Sequence, residues 1–462
     1  MTDQGSGEPG AMTATPKKPT RLGRWFKSGG VMRRTFSNAG RLLSGKAVAG
    51  LLGLSCVALA ARALGPEQFG ALILIHTYVL VVSGIVKFRS WQAVIRYGAE
   101  CLGAERRGDF QKLIKFTTLL DVGSSVLGAV AAVLLAPLVG GWFGWDAETS
   151  RLAASYGWLI LFMVEATPTG VLRLFDRFNL LAVQSTIAPF LRLLGAVAAY
   201  LAGAGLAEFL AVWFIAAATG RLVLLVMGWS ELRRQNMTAG LGRGFGQLTT
   251  PHEGLWKFVW FTNFNASLGL MLGNVTTLVV GATLGATDAG LFKIAREFSS
   301  VLGKPAQLLT QAIYPDLTRL WSDGDRKAAG KLILRSGLVA GAGAFAVLAL
   351  IVLVGEQLLS LVVGEAFIGA YGIMVLLVSA KVISVFGFPL TPAMYAMGRP
   401  GLLLRINVVL TLLYLPLLVG LLEVMGRTGA GAATLVWAFF TFAVTALTVA
   451  RLLGRRPKPV TA

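Results

Sequence analysis

Cysteine and histidine are nearly absent: 462 residues carry two of each. Cys56 lies in an apolar run and Cys101 in a charged stretch far from it, which leaves no disulfide framework and no cysteine-based zinc site. Two histidines are too few for a His-rich catalytic or metal centre, so neither a metal nor another cofactor is expected. Charge is scarce too. Only 14% of residues are charged against 55% hydrophobic, and a mean hydropathy of +0.70 excludes a water-soluble surface. No GxxxxGK[ST] motif is present, so the chain is not expected to hydrolyse nucleotide. The first forty residues lack the apolar core and cleavage site of a signal peptide and should stay attached.

Apolar runs are what the chain has in abundance. A helix needs about 20 apolar residues to cross a hydrocarbon core of roughly 30 Å. Twelve such runs recur, near 46–64, 69–88, 117–139, 152–172, 180–203, 206–229, 257–283, 286–313, 336–355, 371–392, 404–422 and 432–453. Residues 21–43, where Trp25, Phe26, Val31 and Phe36 alternate with Arg and Lys, are expected either to lie on the membrane surface or to be unstructured. Acidic residues are few, 22 against 42 basic ones, giving a net charge of +20. The basic residues crowd into the tail, the even-numbered connections and the C-terminus, so the surplus is a topology signal that places both termini in the cytoplasm. Nucleic acid is not an expected partner. The outer connections are short and leave no room for an extracytoplasmic catalytic domain.

The sequence repeats itself. Leu64-Gly65 followed by Gly70 recurs as Leu284-Gly285 followed by Gly290, 220 residues on. Gln92-Ala93 returns as Gln311-Ala312, and Lys112-Leu113-Ile114 as Lys331-Leu332-Ile333, both at 219. The offset covers six spans, an even number, so the halves enter the membrane in the same direction and are related by an axis along its normal. An all-α membrane protein of two six-helix lobes follows: a basic tail 1–43, a first lobe 44–229, a linker 230–256, a second lobe 257–453 and a tail 454–462. Because two lobes supply both walls of a central path, a monomer is expected.

Polar residues inside the spans mark where that path runs. In span eight, Lys293, Glu297, Ser300, Lys304, Gln307 and Gln311 are spaced 4, 3, 4, 3 and 4, one helical stripe with Arg296 at its border. Each cation at a helix centre costs on the order of 2.5–3.5 kcal/mol against lipid. The stripe is therefore expected to face water, a partner or a ligand, the alternative being a purely structural Lys293–Glu297 pair. His76, Ser83, Lys87 and Ser90 share a face of span two, and His76 matches Arg296 at offset 220, although a lone histidine is more often a packing group. Asn263, Ser267 and Asn274 share a face of span seven, where hydrogen bonding between helices is an equally good account. Of the other intramembrane ions, Arg192 and Arg221 are expected to form structural pairs. Lys381 remains as a further cation, and Asp121, Glu165 and Glu297 are candidates to carry a coupling proton or sodium ion. A cavity with surplus cations selects anions, and a diphosphate suits it.

Several stretches resemble the Wzx-type polysaccharide flippases of the MOP (multidrug/oligosaccharidyl-lipid/polysaccharide) exporter superfamily. They are LAARALGPEQFGALILIHTYVLVVSG with QAVIRYGAE, then GVLRLFDRFNLLAVQ, then VVGATLGATDAGLFKIAREFSSVLGKPAQLLTQAIYPDLTRLWSDGD, and last LLSLVVGEAFIGAYGIMVLLVSA with AMGRPGLLLRINVV. The resemblance runs over about residues 40–453. It implies a V-shaped twelve-helix inner-membrane protein that flips an undecaprenyl-diphosphate-linked oligosaccharide for surface polysaccharide, alongside polymerase and export machinery. It assigns the cationic role to Lys293, Arg296 and Lys304, with Lys87, Arg89 and Lys381 beside them. Asn274 stands where many relatives carry an acid, which weakens any coupling scheme needing a carboxylate there. A small-molecule exporter of the same superfamily, or a membrane-embedded glycosyltransferase or ligase using the same lipid carrier, are the competing readings.

Overall fold

The structure, a computed structural model, describes residues 21–454 except 89, 240 and 242–247. At 21–47, 261, 264–272, 304–305, 307–308 and 311–312 the description is of the backbone alone. The described residues are helical throughout, without strands. The first series is α1 (Arg21–Val86), α2 (Trp91–Gly103), α3 (Arg107–Phe143), α4 (Ala147–Gly157), α5 (Leu159–Phe162), α6 (Ala166–Leu174), α7 (Phe178–Leu201) and α8 (Leu206–Arg234). The second is α9 (Leu255–Leu284), α10 (Ala286–Ser322), α11 (Arg326–Val362), a 3-10 turn (Glu365–Ala370), α12 (Tyr371–Phe386), α13 (Leu390–Ala396), α14 (Pro400–Met425) and α15 (Gly429–Gly454). Residues 21–43 continue as helix into α1, and their side chains, on which the expectation of a surface-lying segment turned, lie outside the description.

Eight helical stretches among the described residues are long and apolar enough to cross a bilayer, and two of them, at 56 and 55 residues, are long enough to cross twice. Large apolar side chains such as Leu134, Leu201, Val339, Leu353 and Val424 are exposed along them. That pattern belongs to a surface solvated by acyl chains.

The duplication read from the sequence is written into the backbone. Left-handed φ occurs at Gly65, Glu105, Gly144, Asp176 and Gly203, and again 219 to 223 residues later at Gly285, Gly324, Gly364, Gly398 and Gly426. Gly65 (φ 70°, ψ 175°) and Gly285 (φ 90°, ψ 178°) share a conformation that a Cβ would strain, and each splits two membrane helices. The same correspondence gives α3 and α11 equal lengths of 37 residues.

Two runs expected to be continuous are broken. The fourth divides into α4, α5 and α6; at the second break Pro168, in the first turn of α6, has no N–H to extend the helix back through Val164. The tenth stops at Phe386 and resumes at Leu390, across Gly387-Phe388-Pro389.

Packing decides the shape. At the end that carries Gly65 and Gly285, one apolar core joins both series, with Phe69, Leu72 and Phe209 on one side and Leu291, Phe367 and Leu422 on the other. A Cβ on Gly70 would strike the Ala286 carbonyl, and one on Gly290 would stand 3.0 Å from the Pro66 oxygen and 3.2 Å from Gly70 Cα. The two glycines matched in sequence thus meet face to face. At the opposite end the core separates: Leu317, Met394, Leu403 and Val449 cluster within the second series. Val94, Cys101, Phe110 and Leu232 do so within the first, which is bridged by the start of α9, where Leu255 and Val259 pack with Tyr97 and Phe116, and Trp256 and Trp260 stand edge-on to Phe116 and Phe88. The halves share one apolar core at one end and keep separate clusters, bridged by α9, at the other.

Candidate functional site: two cationic chambers

Two cavities, one within each half, share Asn274 of α9. The first, of about 490 Å³, is lined by Lys87, Trp91, Glu165, Thr169 and Arg221 as well as Asn274. The second, of about 350 Å³, is lined by Arg296, Lys381, Thr276, Tyr414 and Thr434 beside it.

Helix breaks supply the charges of the first chamber. Lys87 follows the last residue of α1, and Glu165 precedes α6. Asp121 of α3 pins both breaks: it is 2% exposed, and its carboxylate accepts from Ser90 Oγ at 2.9 Å, from the Thr167 backbone N–H at 2.7 Å and from Thr167 Oγ1 at 2.8 Å. It serves as the acceptor at the start of α6 that the residue before the helix does not provide. Glu165 in turn pairs with Lys87 at 3.8 Å and with Arg221 of α8. Among the lining residues two cations share one carboxylate.

In the second chamber no carboxylate stands among the lining residues. Arg296 donates from Nη1 to the Gly273 carbonyl and, at 3.4 Å, to Thr277 Oγ1. The glycine at 273 lets the guanidinium lie against this backbone, where a Cβ would push it aside. These acceptors are neutral, so they orient Arg296 without cancelling its charge. Lys381 makes no ion pair among the described residues. On the opposite wall Thr434 donates to the Ala430 carbonyl at 2.8 Å, and its oxygen lies 3.3 Å from Tyr414 OH. Tyr414 can donate to that oxygen and accept from Thr276 Oγ1 at 3.0 Å. The wall is a polar relay in an otherwise apolar helix pair. Two like charges in a site of low dielectric focus a field that favours anions.

The structure rearranges the residues expected from sequence. Asn274, Arg296, Lys381, Lys87 and Glu165 come together. The stripe is described only in part: α10 presents Phe292, Arg296 and Ser299 to the second chamber, one residue and about 100° away from Lys293, Glu297 and Ser300. Lys293 instead holds Glu297 at 2.5 Å within the helix, the structural pairing that was the alternative. For Lys304, Gln307 and Gln311 the side chains, and for Arg89 the whole residue, lie outside the description. His76 lines neither chamber; its Nδ1 meets Tyr156 OH at 2.8 Å and its ring stands edge-on to Trp213. Asn263 is buried away from both chambers, and Arg192 stacks over Trp213 at 4.6 Å. Arg221 is paired as expected, but the pair faces the first chamber. Sequence reasoning missed Tyr414 and Thr434, because single hydroxyls in α14 and α15 leave no periodic signal.

Known proteins place this geometry. Residues 36–321 match the model of the family described as polysaccharide biosynthesis protein. Inner membrane protein YghQ of Escherichia coli (strain K12) is 35% identical over 350 residues, which cover 76% of this chain and 98% of that protein. Two solved structures share the fold. One is the inward-facing conformation of a multidrug resistance MATE family transporter of the MOP superfamily, with a TM-score of 0.69 and 16% identity over 89% of this chain and 96% of that one. The other is the inward closed conformation of the lipid II flippase MurJ, with a TM-score of 0.67 and 14% identity over 88% and 87%. With its apolar helices, the fold it shares with these two structures and this relative, the chain is a multi-pass inner-membrane protein, and it belongs to the polysaccharide biosynthesis protein family.

Proposed function

We propose that this protein flips an undecaprenyl-diphosphate-linked oligosaccharide from the cytoplasmic to the periplasmic face, the lipid tail remaining in the bilayer while diphosphate and sugars pass through the chambers. The observation that carries the reading is the pair of chambers with surplus lining cations, one built by each half and meeting at Asn274, in a molecule whose halves share an apolar core at one end. Lys87 and Arg221 receive the diphosphate, Arg296 and Lys381 hold it deeper, and the hydroxyls of Tyr414 and Thr434 face the sugars. Charge-assisted hydrogen bonds to phosphate suit both guanidinium and ammonium.

In this reading twelve helices cross the membrane, with both termini cytoplasmic, lobes at 44–229 and 257–453, and basic segments at 1–43, 230–256 and 454–462. The sealed end is periplasmic, so the described state faces inward. The protein acts as a transporter and performs no covalent chemistry, works as a monomer and hands its cargo to polymerase and export machinery. Of the three acids considered for ion coupling, Glu165 lines a chamber, Asp121 is consumed by hydrogen bonds and Glu297 by Lys293.

The test is an Arg296→Gln/Lys381→Gln variant in a strain lacking the native copy. Surface polysaccharide should be lost while membrane-inserted protein stays at its normal level. Normal export in that variant would remove the proposed role. The likeness in fold to a multidrug transporter supports a second reading, small-molecule export. Resistance to cationic drugs conferred by this chain would favour it, since chambers with surplus lining cations repel such cargo.

A further inference from the structure

The outer face of the second half carries a groove that neither chamber uses. It is an apolar cleft of about 190 Å³ between α11 and α15, lined by Gly330, Ile333 and Gly337 on one side and by Ala446, Ala450 and Leu453 on the other. Its floor is Phe386 set edge-on to Phe442, with ring centroids 5.4 Å apart. The width comes from missing side chains: a Cβ at Gly337 would reach within 2.7 Å of the Phe386 carbonyl oxygen, and the alanines project a single methyl. From Phe442 to Leu453 the helix rises about 16 Å, roughly half the hydrocarbon thickness. The groove therefore has the length of one leaflet.

Its mouth is basic. Arg326 and Lys327 stand one turn before Gly330 on the same face of α11, with Lys331 and Arg335 in the next two turns and Arg451 in the last turn of α15. None of the five forms an ion pair among the described residues. The nearby acids are engaged, Asp325 as acceptor from the Ala328 N–H at 2.9 Å and Asp323 with Arg319 at 3.8 Å. Arg326 Nη1 is buried without a hydrogen-bond partner, while its guanidinium lies 5.0 Å over Trp321. A donor atom buried beside the positive end of a 37-residue helix calls for an acceptor, and the local charge favours an anionic one.

We propose that this groove binds an anionic phospholipid, one acyl chain lying along the glycine and alanine faces and the phosphate meeting Arg326 and Lys327. Apolar length and basic mouth together select such a lipid over a zwitterionic one. The proposal is independent of what crosses the central chambers.

The test uses the purified full chain in detergent, titrated with phosphatidylglycerol or phosphatidylcholine and read by native mass spectrometry. Phosphatidylglycerol should bind at least tenfold more tightly. Arg326→Gln/Lys327→Gln should weaken it about thirtyfold, since each basic group near an anionic headgroup contributes about fivefold, and should leave phosphatidylcholine unchanged. Ala450→Phe should weaken both lipids by filling the cleft. If that variant does not fold, the exposed-end Arg326/Lys327 variant still decides. Arg233→Gln/Arg234→Gln, at the end of α8, should change nothing. Equal affinity for the two lipids, an equal loss in the α8 variant, or unchanged binding in folded Ala450→Phe would each overturn the proposal. Displacement of phosphatidylglycerol by a polyprenyl diphosphate with the same variant dependence would reassign the groove to the carrier lipid.

Discussion

Replacing Gly70 by alanine tests how the two halves are held together. The added Cβ would collide with the Ala286 carbonyl, a backbone atom in the first turn of α10 that cannot rotate aside. The seam must open. Overpacking of this kind costs about 1–3 kcal/mol, and it is charged only to the state in which the seam is closed. The ratio of closed to open molecules should then fall by roughly 5- to 150-fold. The sign is unambiguous because glycine to alanine within a helix is favourable by about 1 kcal/mol, so loss of local helix cannot mimic the effect. Gly290→Ala should act in the same direction but less, its nearest contacts being at 3.0 and 3.2 Å, and Gly53→Ala, with nothing within 4 Å, should be silent. Spin labels at Glu148→Cys and Glu356→Cys, both exposed near the sealed end, report the separation by pulsed dipolar spectroscopy. A longer-distance population should grow in the order Gly53→Ala, Gly290→Ala, Gly70→Ala. Identical distance distributions in Gly70→Ala and the unsubstituted protein would refute the idea that this glycine pair seals the molecule.

Other perturbations separate structure from transport. Asp121→Asn turns one of the two accepting carboxylate oxygens into an NH2 donor, breaks at least one of the three buried hydrogen bonds and should cost about 1–3 kcal/mol of stability, seen as a lower melting temperature in detergent; a well-folded variant with altered pH dependence of transport would instead make Asp121 an ion carrier. Glu165→Gln leaves Lys87 and Arg221 without their shared carboxylate; because Glu165 is 41% exposed the stability cost should be only about 1 kcal/mol, while diphosphate binding measured by calorimetry should tighten. Tyr414→Phe breaks the relay to Thr276 and Thr434 and should lower affinity for the glycan portion about fivefold, leaving inorganic diphosphate binding unchanged. At the turn between α3 and α4, Thr149 serves Asp146 with its side chain and with its backbone N–H, 2.8 Å from Oδ1, and these hydrogen bonds hold the Asp146 carboxyl below the usual value. This cap should be in place above the ordinary carboxyl range and lost as pH falls through the lowered one. Hydrogen exchange at 147–150 should accelerate there, and the acceleration should vanish in Asp146→Asn.

What the linear sequence settled follows from properties that do not depend on neighbours. Hydropathy is additive along the chain, so the membrane helices could be read directly, α14 and α15 to within four residues at each end. The duplication was legible because left-handed turns demand particular residues, and Gly65 and Gly285 hold equivalent places in the two repeats. Tertiary packing decided which face of each helix meets the path. A turn of one residue moves a side chain by about 100°, and no periodicity fixes that angle when both faces of α10 carry polar groups; hence Arg296 lines a chamber while Lys293 and Glu297 satisfy each other. The breaks at Glu165 and Gly387, the approach of Arg221 from α8, and the Thr276–Tyr414–Thr434 relay all join segments that are remote in sequence. Their energies exist only once the helices have closed on one another, so they leave no mark in composition or spacing.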